Sequence, residues 1–286
     1  MADIRPMDFG EILDGSVTIY RRHFGLFLQL AMITLAVPVV FLVYLGARFL
    51  GSVVAQAPSL QAVLLLFPVA ILYYLASLVL TAGTIRIISD SYLGRPPSLR
   101  DALALGLSRL WALVGVGLGK GLLLMLLIFG VGIVTSLLVF LTKGNAAISA
   151  LVVFAGVVGG CWFAVFVLCG YGVTTPVVAL EHLASSFDAF RRSWELTKNF
   201  KLRILGLGLI AILLTNTLPS VAFRLLGAAL LAALPPVGMT LTALSYIVPL
   251  ILTPLLAAVI TLMYYDLRVR REAFDLQVLG EQLGIV

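Results

Sequence analysis

Six apolar runs constrain this chain more than any other feature. Each is long enough to cross a bilayer, which requires about 20 helical residues. They lie at about residues 24–45, 62–85, 112–140, 148–178, 203–222 and 240–265. Because hydrocarbon offers no hydrogen-bond partners to the backbone, each run is expected to be helical. The pattern therefore predicts an all-α integral membrane protein with six transmembrane helices.

Composition favours a multi-pass membrane protein over a soluble domain. Hydrophobic residues make up 62% of the 286 residues and charged residues only 11%, and the mean hydropathy is +1.14. A water-exposed surface needs charged side chains, and this chain has too few of them for a soluble protein of its size. The chain is interpreted as a single membrane domain over residues 1–286, with the first run retained as a span rather than cleaved as a signal.

Basic residues are concentrated on one side of the predicted membrane. When the loops are assigned alternately to the two sides, fifteen of the nineteen Lys and Arg residues lie on the side of the termini, as do all thirteen acidic residues. The positive-inside rule then places both termini in the cytoplasm. This topology, rather than nucleic-acid binding, explains the net charge of +6. The predicted location is a bacterial cytoplasmic (inner) membrane.

A short amphipathic helix is predicted before each pair of spans. At three places a residue suited to N-capping is followed three positions later by an acid, which is the arrangement of a capping box. These places are Asp8-x-x-Glu11, Ser98-x-x-Asp101 and Ser185-x-x-Asp188. Small residues align in the same register at Ser16, Gly106 and Ser193.

The spacing of these motifs predicts a quasi-threefold internal repeat. The units cover residues 8–95, 98–183 and 185–270, and each consists of an amphipathic helix followed by a transmembrane hairpin. A fourth amphipathic helix is predicted at 271–284, where Glu272-Ala273-Phe274 matches Glu11-Ile12-Leu13.

Glycines in the third and fourth runs predict close contacts between helices. Gly115 and Gly119 lie in the third run, and Gly156 and Gly160 form a GxxxG motif in the fourth. Helix backbones approach closely at glycine. Contact within one chain and contact between two copies are both compatible with this pattern, and internal packing is favoured because six spans must first pack with one another.

Lys120 and Asn216 are the candidate intramembrane polar site. Lys120 lies inside a predicted span, where a charge can bind a substrate anion or form an ion pair. Its side chain can also extend to the interface, because it lies about 13 Å along a helix from Trp111. Asn216 and the neighbouring threonines can either line a polar path or bond to the backbone of adjacent helices.

A basic and aromatic cluster near the fifth span is the candidate contact with lipid headgroups. Its basic members are Arg191, Arg192, Lys198, Lys201 and Arg203, and its aromatic members are Phe190, Trp194 and Phe200. Such residues bind anionic headgroups and anchor at the membrane interface. At the end of the last span, Asp266–Arg270 and Arg268–Glu272 have the spacing of i,i+4 ion pairs.

The sequence contains no pattern typical of a catalytic or metal site. His23 and His182 have no Cys, Asp or Glu cluster at ligand spacing, and Glu181 beside His182 is interpreted as an interfacial pair. Cys161 and Cys169 have neither metal-binding nor disulfide spacing. P-loop, GxSxG and HExxH motifs do not occur. We therefore expect no cofactor, no metal and no enzyme activity.

Both ends of the chain resemble a bacterial membrane-protein family. The resemblance rests on Arg5-Pro6-Met7-Asp8-Phe9-Gly10-Glu11-Ile12-Leu13-Asp14, on Tyr20-Arg21-Arg22-His23-Phe24 and on Tyr264-Tyr265-Asp266-Leu267-Arg268-Val269-Arg270. These stretches are similar to the glycerophosphoryl diester phosphodiesterase membrane-domain family. In some proteins that domain is fused to a phosphodiesterase barrel, for which this chain has no room and no acidic and histidine cluster. The resemblance therefore implies a membrane architecture without phosphodiesterase activity.

These features favour a structural or accessory membrane subunit that packs with partner proteins, or with further copies of itself, and with inner-leaflet lipid. The alternative is a transporter or channel for an amphipathic or anionic solute. That function would place Lys120, Asn216 and Thr215 around one polar cavity near the midplane. The third hypothesis is an intramembrane lipid-modifying enzyme, which would need Glu181 and His182 to converge with another polar group.

Overall fold

The computed structural model describes residues 5–54, 60–142, 144–181, 183 and 185–273. Within these ranges the regular structure is helical and contains no strand. The helices in chain order are α1 (Phe9–Arg22), α2 (Phe24–Val54), α3 (Leu60–Tyr92), α4 (Leu99–Ser108), α5 (Leu110–Leu141), α6 (Ala146–Gly170), α7 (Thr174–Leu180), α8 (Ser186–Thr197), α9 (Lys201–Ile212), α10 (Leu218–Leu231) and α11 (Pro235–Glu272).

Six helical segments in the described ranges are long and apolar enough to cross a membrane. They are Phe24–Arg48, Leu64–Tyr92, Leu110–Leu141, Ala146–Leu180, Lys201–Leu231 and Pro235–Glu272. Each overlaps one of the six predicted runs, so the prediction of an all-helical protein with six such helices is confirmed. Some segments extend beyond the runs because charges near their ends are paired along the helix, as Arg86 is with Asp90 at 2.9 Å.

Three short helices, α1, α4 and α8, each stand directly before a pair of long helical segments. α1 and α8 begin with the expected capping boxes at Asp8 and Ser185. In α1 the Glu11 carboxylate accepts a hydrogen bond from the Asp8 backbone N–H at 2.8 Å. Ser98 caps α4 by accepting a hydrogen bond from the backbone N–H of Asp101. The predicted starts of the three short helices are therefore confirmed.

Contacts divide the chain into two compact units, which are described separately. Unit 1 comprises Met1–Trp111 and Leu207–Val286, and unit 2 comprises Ala112–Gly206. The division falls near the start of α5 and within α9 rather than between the predicted repeat units.

In unit 1 the short helices α1 and α4 pack on long ones. α1 buries Ile12, Ser16 and Ile19 and packs against α11, while α4 packs against α3. A Cβ placed on Gly106 of α4 would lie 2.7 Å from the Val79 carbonyl oxygen of α3. Only glycine permits this approach of the two backbones.

The connected ends of α10 and α11 pack closely in unit 1. A Cβ placed on Gly227 of α10 would lie 2.9 Å from the carbonyl oxygen of Gly238 on α11. Likewise, a Cβ placed on Gly238 would lie 2.6 Å from Cα of Leu231. These two glycines therefore hold the connected ends of α10 and α11 at backbone contact distance.

In unit 2, α8 packs against α6 and α7. The single predicted run at 148–178 is divided between α6 and α7, which are separated by a turn at 171–173. Pro176 is the third residue of α7, where proline is tolerated, but its ring excludes the carbonyl four residues earlier from a continuous helix. The single apolar run therefore forms two helices.

The structure corrects the sequence prediction between α9 and α11. α10 continues to Leu231, and the fifth candidate span extends to the same residue. The fifth run at 203–222 was therefore too short. Pro219 cannot bond to the carbonyl of Thr215 and crowds it, and the chain accommodates this with a π-helical turn at Leu213–Thr217 instead of ending the helix.

At the C-terminus, α11 continues to Glu272 as a single helix of 38 residues. Both expected i,i+4 ion pairs form on it, with Asp266–Arg270 at 3.0 Å and Arg268–Glu272 at 3.2 Å. The predicted amphipathic helix at 271–284 lies outside the described residues from position 274 onward.

Candidate functional site

The basic and aromatic cluster is centred on α8 in unit 2. Trp194 lies directly over Gly170 at the end of α6, where a Cβ on the glycine would overlap the indole ring. Its ring contacts Phe166 with centroids 6.0 Å apart and Tyr171 with centroids 5.4 Å apart. The hydroxyls of Ser193 and Thr197 both donate to the Gly170 carbonyl oxygen at 3.0 Å. α8 is thus attached to the end of α6 by one ring and two hydrogen bonds.

Lys201 occupies an aromatic site beside this contact. Its ammonium nitrogen lies 3.3 Å from the centroid of Phe166 and 3.5 Å from that of Trp194. Two ring faces this close attract the cation electrostatically. Lys201 was predicted to contact lipid headgroups, but the structure also gives it a role in holding α9 against α6 and α8.

The predicted headgroup residues differ in their surroundings. Arg191 forms an exposed ion pair with Glu195 at 3.0 Å, whereas Arg192 forms a less exposed one with Glu181 at 3.0 Å. Lys198 is exposed and Arg203 is half-buried. The exposed basic surface of this cluster therefore centres on Arg191 and Lys198.

Lys120 lies inside the third candidate span and is half-buried. Its ammonium donates to the hydroxyl of Thr175 on α7 at 3.3 Å. Thr175 lies five residues beyond the end of α6, toward α8, so the lysine side chain extends toward that end of the span. Lys120 therefore bonds to the start of α7.

All four predicted contact glycines face neighbours within unit 2. A Cβ on Gly115 would lie 2.8 Å from the Ser186 hydroxyl oxygen, and one on Gly119 would lie 2.8 Å from the Phe190 ring. Between α5 and α6, a Cβ on Gly160 would lie 2.6 Å from the Val131 side chain. Gly156 similarly faces Thr135.

An apolar groove lies beside this contact between α5 and α6. Its volume is about 630 Å³. It extends from Leu126 to Leu138 along α5, a distance of about 18 Å. Gly130 and Gly159 lie on its wall, and a Cβ added to either would meet no atom within 4 Å. The groove was not predicted from the sequence, although Gly130 and Gly159 are present in the third and fourth apolar runs.

Asn216 lies in the π-helical turn of unit 1. Its side-chain amide donates to the Thr215 hydroxyl at 3.0 Å, and that hydroxyl donates to the Ala211 carbonyl oxygen at 2.8 Å. The wider π turn leaves backbone carbonyls without their usual helical partners, and Thr215 supplies one of these bonds. Asn216 and Lys120 belong to different units; Asn216 bonds to its neighbour in the chain, whereas Lys120 bonds to Thr175 on another helix.

A buried polar junction joins α1 to α11 in unit 1. Asp266 is 0% exposed and accepts hydrogen bonds from the Met7 backbone N–H at 2.8 Å and from Nε of Arg270 at 3.0 Å. Arg270 in turn donates to the Met7 carbonyl oxygen at 2.9 Å. The sequence predicted the pairing of Asp266 with Arg270, but not the closure onto Met7.

The end of α3 adds further polar contacts to unit 1. Ser89 and the hydroxyl of Tyr265 form a hydrogen bond of 2.6 Å. His23, between α1 and α2, contacts the Ser91 hydroxyl at 3.1 Å. Burial, and to a smaller extent the charge of Arg22, lowers the pKa of the His23 imidazole below its usual value. His23 is therefore held as a neutral hydrogen-bonding residue near neutral pH.

Among the described residues, no group of three or more His, Cys, Asp or Glu side chains could hold a metal ion. Cys161 is exposed and Cys169 is buried, and both are free thiols. Glu181 pairs with Arg192. The other member of the predicted interfacial pair, His182, lies outside the described residues.

Comparison of the chain with models of known protein families, with curated proteins and with solved structures gives no match. The resemblance to the glycerophosphoryl diester phosphodiesterase membrane domain therefore stays a prediction from the sequence.

Proposed function

We propose that this protein is a structural or accessory subunit of a bacterial inner membrane that docks membrane-spanning helices of a partner protein or of a second copy. The observation that carries the proposal is the apolar groove between α5 and α6. No residue of the most apolar window of α5 is buried, and only 6% of the corresponding window of α6–α7 is buried. Most of the surface of α5 and of α6–α7 is thus available for contact with lipid or with another protein.

The chemistry of the groove favours a helix as its occupant. Without a hydrophobic driving force between lipid-immersed helices, association depends on close van der Waals packing, and small residues permit it. Gly130 and Gly159 leave open space at the wall where a second backbone can approach. Lys120 and Asn216 are bonded to neighbouring hydroxyls, which supports an accessory function over the transport alternative.

Contact with inner-leaflet lipid is the second part of the proposed function. Phe187 on α8 is 77% exposed and Leu202 on α9 is 78% exposed, close in sequence to Arg191 and Lys198. Exposed apolar side chains beside basic ones bind the boundary between acyl chains and anionic headgroups. The α8 cluster therefore has the chemistry of a membrane-surface anchor.

We further infer that the chain contains three repeats. Positions aligned by the capping motifs are buried in all three short helices: Ile12, Ala102 and Ala189, and again Ser16, Gly106 and Ser193. An acid recurs near the end of each second long segment, and each acid pairs with an arginine: Asp90 with Arg86, Glu181 with Arg192, and Asp266 with Arg270. A threefold duplication explains both coincidences.

The inferred orientation places both termini in the cytoplasm. The span ends that carry the acid–arginine pairs lie on the same side. Labelling of single cysteines tests this orientation in intact cells. A cysteine at Asp14 should be protected from an impermeant maleimide, and one at Asn145 should react. The reverse pattern would invert the topology.

Native mass spectrometry after gentle extraction from the source membrane tests the proposed function. We expect a stoichiometric assembly containing a second membrane protein or a further copy of this chain. A lone protein carrying a defined small solute would instead support transport.

A further inference from the structure

Arg224 is a charged side chain inside the fifth candidate span. It lies seven residues before the last residue of α10, Leu231, which is about 10 Å along the helix. Its side chain is exposed rather than buried against α11. A guanidinium at such a position requires polar partners, because the surrounding hydrocarbon supplies none.

Contacts on α11 hold one edge of this guanidinium. Nε of Arg224 donates to the Ser245 hydroxyl at 3.4 Å, and the guanidinium carbon lies 5.0 Å from the centroid of the Tyr246 ring. Ser245 is itself fixed, because its hydroxyl donates to the Thr242 carbonyl oxygen at 2.6 Å and its carbonyl accepts from Ser220 at 3.2 Å. The hydrogen bond to Ser245 uses Nε, so the two Nη groups remain as donors.

No acid within the described residues pairs with Arg224. The sequence explains this, because Glu195 and Asp266 are the nearest acids on either side and none lies between them. Arg224 is thus an exposed cation with a fixed orientation, and no carboxylate of the described residues neutralises it. A site of this kind is suited to an external anion.

We propose that Arg224 binds the phosphodiester group of a phospholipid from the leaflet at the connected ends of α10 and α11. The Nη groups form a planar fork that matches two phosphate oxygens, and such charge-assisted pairs are strong. The side chain is long enough to reach toward the headgroup layer from its position in the helix. Tyr246, which is 65% exposed, lies against the guanidinium with its ring centroid 5.0 Å away.

A second arginine–tyrosine pair lies in unit 1. Arg48, the last residue of the first candidate span, donates through Nη1 to the Tyr44 hydroxyl at 3.2 Å, and its guanidinium lies 5.9 Å from the centroid of that ring. Arg48 is a matched control, because it is an exposed arginine paired with tyrosine but lies at the end of its span rather than inside it.

Native mass spectrometry of the delipidated protein, titrated with phosphatidylglycerol in detergent, tests this site. We expect one tightly bound lipid on the wild type, and an apparent Kd for that lipid about tenfold higher in Arg224→Gln, which loses a charge-assisted pair. Arg224→Lys, which keeps the charge without the fork, should show a smaller increase. Arg48→Gln should retain the tightly bound lipid.

Two further ligands show whether binding requires both the phosphate and the acyl chains of the lipid. A glycosyl diacylglycerol has the acyl chains without the phosphate and should not occupy the site, and millimolar inorganic phosphate should not displace the lipid. Equal binding of phosphatidylglycerol by the wild type and Arg224→Gln would overturn the proposal. So would equal binding of the glycolipid or complete displacement by inorganic phosphate. The melting temperature of each variant shows whether it is folded.

Discussion

Replacing Trp194 with Asp is expected to destabilise unit 2 by about 3 kcal/mol, as truncation of a large packed aromatic residue does. The indole lies over Gly170 and contacts Phe166, Tyr171 and the Lys201 ammonium. An aspartate at this position would leave a gap above the glycine and place a carboxylate against aromatic rings. The apparent melting temperature in detergent, followed by circular dichroism, should fall by roughly 6–12 °C.

Phe187→Ala is the matched control for this substitution, because Phe187 is an aromatic residue of the same helix that is 77% exposed. Its loss should change the melting temperature only slightly. If Trp194→Asp expresses and melts like the wild type, α8 does not dock through the face described here.

Replacing Asp266 with Ala is expected to destabilise unit 1 by about 3 kcal/mol, because removal of one member of a buried pair leaves the other charge uncompensated. Asp266 is 0% exposed and bonds both Arg270 and the Met7 backbone. Its removal should also release the segment before α1, which is held to α11 at this point. The measurements are the melting temperature and the rate of limited proteolysis before Phe9.

The i,i+4 pair of Arg191 with Glu195 supplies the control for Asp266. Its side chains are 83% and 55% exposed, so Glu195→Gln should change stability by no more than about 0.5 kcal/mol. An effect of Asp266→Ala as small as that of Glu195→Gln would show that the junction at Met7 does not stabilise unit 1.

Features with a local cause could be predicted from the sequence. The six spans follow from apolar runs, and the starts of α1, α4 and α8 follow from caps at Asp8, Ser98 and Ser185. The ion pair between Asp266 and Arg270 likewise depends only on a four-residue spacing in one helix. In each case the responsible residues lie within a few positions of one another.

Features that depend on contacts between distant segments could not be predicted. The site of Lys201 requires Phe166 and Trp194 to meet, and the groove requires α5 and α6 to come together. The length of the fifth span was underestimated because the apolar run ends at residue 222, whereas the helix continues through a π turn at Leu213–Thr217 to Leu231. The residues around a proline do not by themselves show whether the helix ends there or continues through a wider π-helical turn.

The most direct test of the proposed function is a comparison of glycine variants by co-purification and native mass spectrometry. Gly130→Leu and Gly159→Leu fill the groove between α5 and α6, whereas Gly132→Leu adds the same side chain to an open face outside its lining. We predict that the stoichiometric partner is lost from the first two variants and retained by the third. Retention of the partner by all three variants, with each variant folded, would contradict docking through the groove.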